Sequence, residues 1–129
     1  MTPRILVVDD EPDIRAIVRI ALETLAGWTV LEAPGGEAGL DLARQERPDA
    51  VLLDVMMPGL DGPATARRLA ADPATADIPV VMLTAKVLSS ERAALAQGPV
   101  AAVLSKPFDP LTLAADVRAA LGWTEGSTP

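Results

Sequence analysis

The stretch LLDVMMPGLDG, residues 52–62, passes from an apolar pair to a sharp turn within a few positions. Leu52 and Leu53 read as buried strand, and Met56 and Met57 are again apolar. Asp54 stands between them, a carboxylate where the pattern predicts core, and an unpaired charge is costly to bury. Pro58, Gly59, Asp61 and Gly62 then turn the chain, with Asp61 placed to cap a helix running from about Pro63 to residue 71. The spacing predicts a strand, a tight turn and a helix, with an acid at the strand's carboxyl end. Met57 is expected to pack in the core, where methionine fills irregular space.

The same unit recurs on both sides. Apolar runs RILVV (4–8), AVLLD (50–54), IPVVMLT (78–84) and VAAVLS (100–105) read as strands, and WTVLEA (28–33) as a more alternating one, nearer an edge. Runs that are apolar at nearly every position suit strands covered on both faces, as in parallel sheets. Helical spacing fills the gaps. From Pro12 to residue 26, Ile14, Ile17, Val18, Ala21, Leu22 and Leu25 fall on one face, and Gly27 supplies the stop. Further helices are expected over 36–46, ended by Pro48, over 89–97 with Ser89 as cap, and from Asp109–Pro110 to Leu121. The last should turn Leu111, Leu113, Ala114, Val117 and Leu121 inward. Strict alternation of strand and helix predicts an α/β fold, a doubly wound five-stranded parallel sheet with helices on both faces. One domain is expected over 1–122, with a mobile tail over 123–129.

Composition excludes several chemistries. The chain has 129 residues, half of them apolar, which suits one domain with a single core. It has no cysteine and no histidine, so thiolate or Ser-His nucleophiles and Cys- or His-ligated metals are out of reach. Net charge is −7 with no basic run, which argues against DNA or an anionic membrane as partner. No apolar stretch approaches the ~18 residues of a membrane span. The opening MTPRILVVDDEP meets acid too early for a signal peptide, so a cytoplasmic chain is expected.

In parallel sheets, ligands gather beyond the carboxyl ends of the strands where strand order reverses. Here those ends carry Asp9 and Asp10, then Asp54, Thr84 and Lys106. With strand order 2-1-3-4-5, three carboxylates converge on one crevice and repel one another. A hard divalent cation resolves the repulsion, Mg²⁺ before Ca²⁺ for oxygen-only ligands. Lys106 and Thr84, an ammonium and a hydroxyl, complete a clamp for a tetrahedral anion. No phosphate-cradling GxxxxGK[ST] or GxGxxG motif is present, so the economical reading is that Asp54 itself becomes phosphorylated. Each residue also has an ordinary reading taken singly. Asp10 can be an N-cap before Pro12, and a strand-end Thr or Lys is commonly solvated.

The blocks ILVVDDEPD, DVMMPGLDG, VVMLTA and SKPFD resemble the response-regulator receiver family of two-component signalling, over about residues 4–121. The resemblance implies the flavodoxin-like (βα)5 fold and a phosphoacceptor Asp54. It implies Mg²⁺ held directly by Asp10 and by the Met56 main-chain carbonyl, and largely through water by Asp9. Thr84 and Lys106 would contact the phosphoryl group, and the Lys106–Pro107 peptide would be cis. Position 56 and Lys86 would flank the water that hydrolyses the phosphoaspartate. Lacking histidine, such a chain takes its phosphoryl group from a sensor histidine kinase, a histidine phosphotransfer protein or a small acyl phosphate. It would be a non-enzyme that catalyses only its own phosphorylation and dephosphorylation, read out by contact with an unidentified downstream protein.

The chain departs from the family at Val103, where a switching aromatic usually stands, and GPVAAV (98–103) lacks the acidic residues that support a symmetric dimer. A monomer or weak dimer is expected, with Val103 as passive packing. Two other classes stay open: a phosphorylation-independent scaffold, which usually loses one of these acids or the lysine, and an aspartate-nucleophile phosphatase. The phosphatase would want a second aspartate at position 56, which is methionine.

Overall fold

The structure is a computed structural model that describes residues 2–85 and 89–123. Its elements alternate as expected. They are β1 (Arg4–Val8), α1 (Pro12–Arg19, prolonged by a π-helical turn over Ile20–Thr24), β2 (Thr29–Ala33), α2 (Gly36–Glu46), β3 (Ala50–Asp54), α3 (Gly62–Ala71), β4 (Val80–Thr84), α4 (Ser89–Ala96), β5 (Ala102–Ser105) and α5 (Leu113–Leu121). All strand pairs are parallel, in the order β2-β1-β3-β4-β5. The sequence predicts why: β1, β3 and β4, whose only polar residues stand at a strand end, occupy the middle, and the mixed run of β2 lies at an edge.

Alternation along each strand divides the core into two layers. Ile5, Val7, Leu52 and Leu83 face α1 and α5, packing with Val18, Leu22, Leu113 and Val117. Leu6, Val8, Leu53 and Met82 face the other way, against Leu40 of α2 and Ala66 and Leu69 of α3. Each of the Val, Leu, Ile and Met side chains among them contributes about 1.5–3 kcal/mol on full burial. Met57 is buried in this second layer, as expected, and Val103 packs against it half-buried.

The helix ends follow local chemistry. The Asp61 carboxylate accepts from the Ala64 N–H at 2.9 Å, the expected cap of α3. In the π-helical turn the Leu25 N–H reaches the Ile20 carbonyl at 3.1 Å, and Gly27, at φ +77°, closes the segment. The inward stripe of α1 is Ile14, Val18, Ala21 and Leu22. Ile17 and Leu25, expected inward, are exposed. Ile17 sits on the shoulder of that stripe, and the wider π turn shifts the phase that would have buried Leu25. α5 begins at Leu113 because residues 109–112 form a separate turn. Asp109 accepts there from the N–H groups of Leu111 (side chain, 2.9 Å) and Thr112 (carbonyl, 3.0 Å). That turn leaves Leu111, also expected inward, 81% exposed.

The expected cap by the Ser89 side chain, and residues 124–129 of the expected tail, lie outside the described residues. Trp123 is described and packs on the core, its ring 5.9 Å from that of Trp28. The Arg118 guanidinium lies 5.0 Å over the Trp28 ring, within cation–π range.

Candidate phosphoryl and metal site

The carboxyl ends of β1, β3 and β5 bring Asp9, Asp10, Asp54 and Lys106 to one crevice, with Thr84 ending the neighbouring β4. Asp54 is the last residue of β3 and pairs in register with Leu83 of β4. Thr84 ends β4 opposite Ser105, and the Lys106 N–H donates to the Thr84 carbonyl at 2.8 Å, which starts the lysine back across the sheet. The Lys106–Pro107 peptide is cis, as expected. Lys106 Nζ then donates to Asp54 Oδ1 at 2.9 Å and to Asp9 Oδ2 at 3.0 Å. Carboxylate oxygens of Asp9, Asp10 and Asp54 all lie within 4.8 Å of one another. Thr84 is buried at the end of the neighbouring strand.

The turn after β3 fits closely against the site. Gly59 adopts φ +74°, a left-handed conformation that glycine takes without steric cost. Gly62 donates to the Val55 carbonyl at 3.0 Å, and a Cβ added to it would collide with the Asp54 carbonyl oxygen. The two glycines of the opening motif thus make the bend and admit the backbone of α3 against the strand end.

Burial and charge set the electrostatics. Asp9 is fully buried, its carboxylate accepting from the Glu11 N–H at 2.9 Å as well as from Lys106. Asp54 is 5% exposed, and burial above all holds its carboxyl above the ordinary carboxylate range. The neighbouring Asp9 charge pushes the same way, against hydrogen bonds from Lys106 and the Met56 N–H. Burial pulls the Lys106 ammonium down, but its bonds to Asp54 and Asp9 outweigh that and leave it raised. Three carboxylates facing one ammonium leave the crevice with excess negative charge, carried on oxygen alone. That donor set fits a hard divalent cation such as Mg²⁺.

Met56, two residues beyond Asp54, is 72% exposed. Lys86 lies outside the described residues. Arg15, which the sequence pattern did not single out, donates from its guanidinium to the Asp9 carbonyl at 2.7 Å.

The family model described as "Response regulator receiver domain" matches residues 5–118. The chain is 43% identical to the DNA-binding dual master transcriptional regulator RpaA of Synechocystis sp., over 95% of this chain and 51% of that protein. It is 40% identical to Protein PilH of Pseudomonas aeruginosa, over 92% of this chain and 97% of that one. The chain spans about half the length of the first curated relatives it matches. Among solved structures it superposes on a putative response regulator from Chloroflexus aurantiacus with TM-score 0.86 and 32% identity, covering 95% and 99% of the two chains. It superposes on the receiver domain of sensor histidine kinase PA1611 from Pseudomonas aeruginosa with TM-score 0.83 and 29% identity, covering 95% and 99%. That structure is described with a magnesium ion coordinated in its active-site cleft.

Proposed function

The chain belongs to the response regulator receiver family, and on that premise we propose that Asp54 is its phosphoacceptor, loaded from a partner's phosphohistidine in a Mg²⁺-dependent reaction. The observation that carries this reading is the buried Asp54 carboxylate, held at 2.9 Å by Lys106 within an all-oxygen cluster. An Asp54 oxygen forms the new P–O bond as the P–N bond of the donor breaks, and the imidazole keeps the electron pair and takes a proton. Asp54 must be ionised to attack, and Lys106 is placed to follow the incoming oxygens as they displace it from the carboxylates. Thr84, at the neighbouring strand end, supplies a hydroxyl donor to the phosphoryl group. Asp9, Asp10, Asp54 and the Met56 carbonyl are the groups that would hold Mg²⁺, which neutralises charge on the phosphoryl oxygens when bound. Incubation with acetyl phosphate and Mg²⁺ followed by intact-mass measurement tests the reading, and an unmodified chain would contradict it.

A protein donor is supported by an open recess of about 530 Å³ beside Lys106, lined largely by Ile14, Ile17, Pro107, Phe108 and Pro110. Apolar surface next to a reaction centre suits a sensor histidine kinase or histidine phosphotransfer protein better than a small acyl phosphate. Ile17→Asp is expected to slow transfer from a histidine phosphotransfer protein by about tenfold. Labelling by acetyl phosphate should stay at the wild-type rate. Equal losses with both donors would mean that the substitution acts on the site itself.

Hydrolysis of the phosphoaspartate resets the protein. Met56 offers no hydrogen bond to orient the attacking water, so Met56→Asn is expected to shorten the phosphoryl lifetime. Dephosphorylation followed after removal of the donor measures it, and an unchanged or longer lifetime would show that position 56 does not gate water. Output is proposed to pass by protein contact, with the chain a monomer or weak dimer. Val103 acts as packing, and the Thr84 end of β4 responds to the phosphoryl group.

A further inference from the structure

We propose that Arg15 is a positioning residue for the metal-binding acids, acting through the Asp9–Asp10 peptide, an inference that rests on the receiver reading above. The β1–β2 register ends at the pair Val8–Ala33, so the Asp9 carbonyl lies beyond the last paired residue. The Asp9 N–H still reaches the Ala33 carbonyl at 3.2 Å, but β2 has by then turned away into Pro34. Arg15, one turn into α1, donates to the Asp9 carbonyl instead, at 2.7 Å.

That carbonyl defines the plane of the peptide joining Asp9 to Asp10. Asp9 is otherwise pinned, with its carboxylate on the Glu11 N–H and Lys106. Asp10 is less buried and follows directly after the same peptide. Rotation of this peptide would move Asp10 relative to the two buried carboxylates. The Arg15 bond opposes that rotation.

Arg15 is itself braced. Its Nε donates to Glu32 on the edge strand at 3.1 Å, and Arg19 Nε donates to the other Glu32 oxygen at 2.7 Å. Arg19 also holds Glu23 at 2.7 Å, and Glu23 accepts from the Val30 N–H of β2 at 3.1 Å. The Arg15 side chain is largely buried, so the guanidinium has little freedom to leave this geometry. A braced fork that orients a ligand-bearing backbone is the kind of outer support that metal sites depend on.

The sign of the effect separates positioning from charge. As a nearby cation, Arg15 would repel Mg²⁺, and its removal would tighten binding. As a positioning group, its removal loosens Asp10 and weakens binding. Titration calorimetry with Mg²⁺ alone, on the intact chain, is the test. Arg15→Ala is expected to weaken Mg²⁺ affinity by about tenfold, the lower end for loss of an outer-shell partner. Arg15→Lys, which keeps a donor and the charge but not the fork, should recover part of it. Arg19→Ala breaks the Glu32 and Glu23 pairs without touching Asp9. It should lower the melting temperature while leaving Mg²⁺ affinity within about twofold of wild type, well under the change expected of a direct support. Unchanged or tighter binding by Arg15→Ala would overturn the proposal, as would an equal loss in Arg19→Ala. Absence of Mg²⁺ binding by the wild-type chain would instead strike at the receiver reading itself.

Discussion

Asp54→Asn is expected to take up no phosphoryl group from acetyl phosphate and Mg²⁺, where the wild-type chain takes up one. The amide oxygen carries no formal charge and is a poor nucleophile, so loss of labelling should be complete. The same variant should melt at a higher temperature than wild type in metal-free buffer at neutral pH. Burial, joined by repulsion from Asp9, raises the folded-state pKa of Asp54 above its ordinary value. The folded chain therefore binds this proton more readily than the unfolded chain does. The stability that Asp54 contributes is present below the ordinary carboxylate range and is lost as pH rises through the raised value. At neutral pH the ionised carboxylate is a net cost that asparagine lacks, and the variant's advantage should shrink as pH falls. The wild-type labelling rate should fall over the same acid range, as Asp54 becomes protonated. Intact mass, and calorimetry in chelator at neutral and acid pH, read the two effects. Full labelling of the variant would overturn the acceptor assignment, and a lower melting temperature at neutral pH would overturn the electrostatic account.

β1 and β3 are legible to the residue, because a run whose only polar residue stands at one end has one economical fate in an alternating chain. Their carboxyl-end acids were legible for the same reason: a parallel sheet places neighbouring strand ends side by side. Other boundaries were set by contacts that no periodicity shows. β4 starts at Val80 rather than at residue 78, after Pro79, whose carbonyl still accepts from the Val51 N–H at 3.0 Å. The turn over 109–112 takes Leu111 out of α5 although its spacing matches the inward stripe. The π-helical turn breaks the 3.6-residue phase on which Leu25 depended. Arg15 carries no sequence signal because its contacts exist only once the Asp9 carbonyl and Glu32 are brought to it by the fold. The sequence predicts Lys106 at the crevice, and the structure adds that its ammonium bridges Asp9 and Asp54 together.

That double pairing makes Lys106→Met the substitution with the largest expected effect on stability. Methionine keeps an apolar stem of similar length and removes the ammonium alone. It leaves Asp9 and Asp54 facing each other, both buried, with no cation between them. Burial acts first on Lys106 and lowers its pKa, but the bonds to Asp54 and Asp9 outweigh it and raise the folded value above 10.5. Its stabilising contribution is thus fully present at neutral pH and is lost only as pH rises through that raised value. Breaking a buried pair typically costs about 3–5 kcal/mol. Lys106 and Asp10 are only partly buried, so solvent screens the pair and roughly 2–4 kcal/mol is expected in metal-free buffer. Mg²⁺ should restore more stability to Lys106→Met than to wild type, because no ammonium then competes for the carboxylates. The double variant with Asp54→Asn should lose less than Lys106→Met alone, since removing the second charge relieves the first defect. Chemical denaturation of the four proteins, with and without Mg²⁺, gives the coupling directly. Additive effects, or a metal-free Lys106→Met as stable as wild type, would show that the lysine does not hold the acids in place.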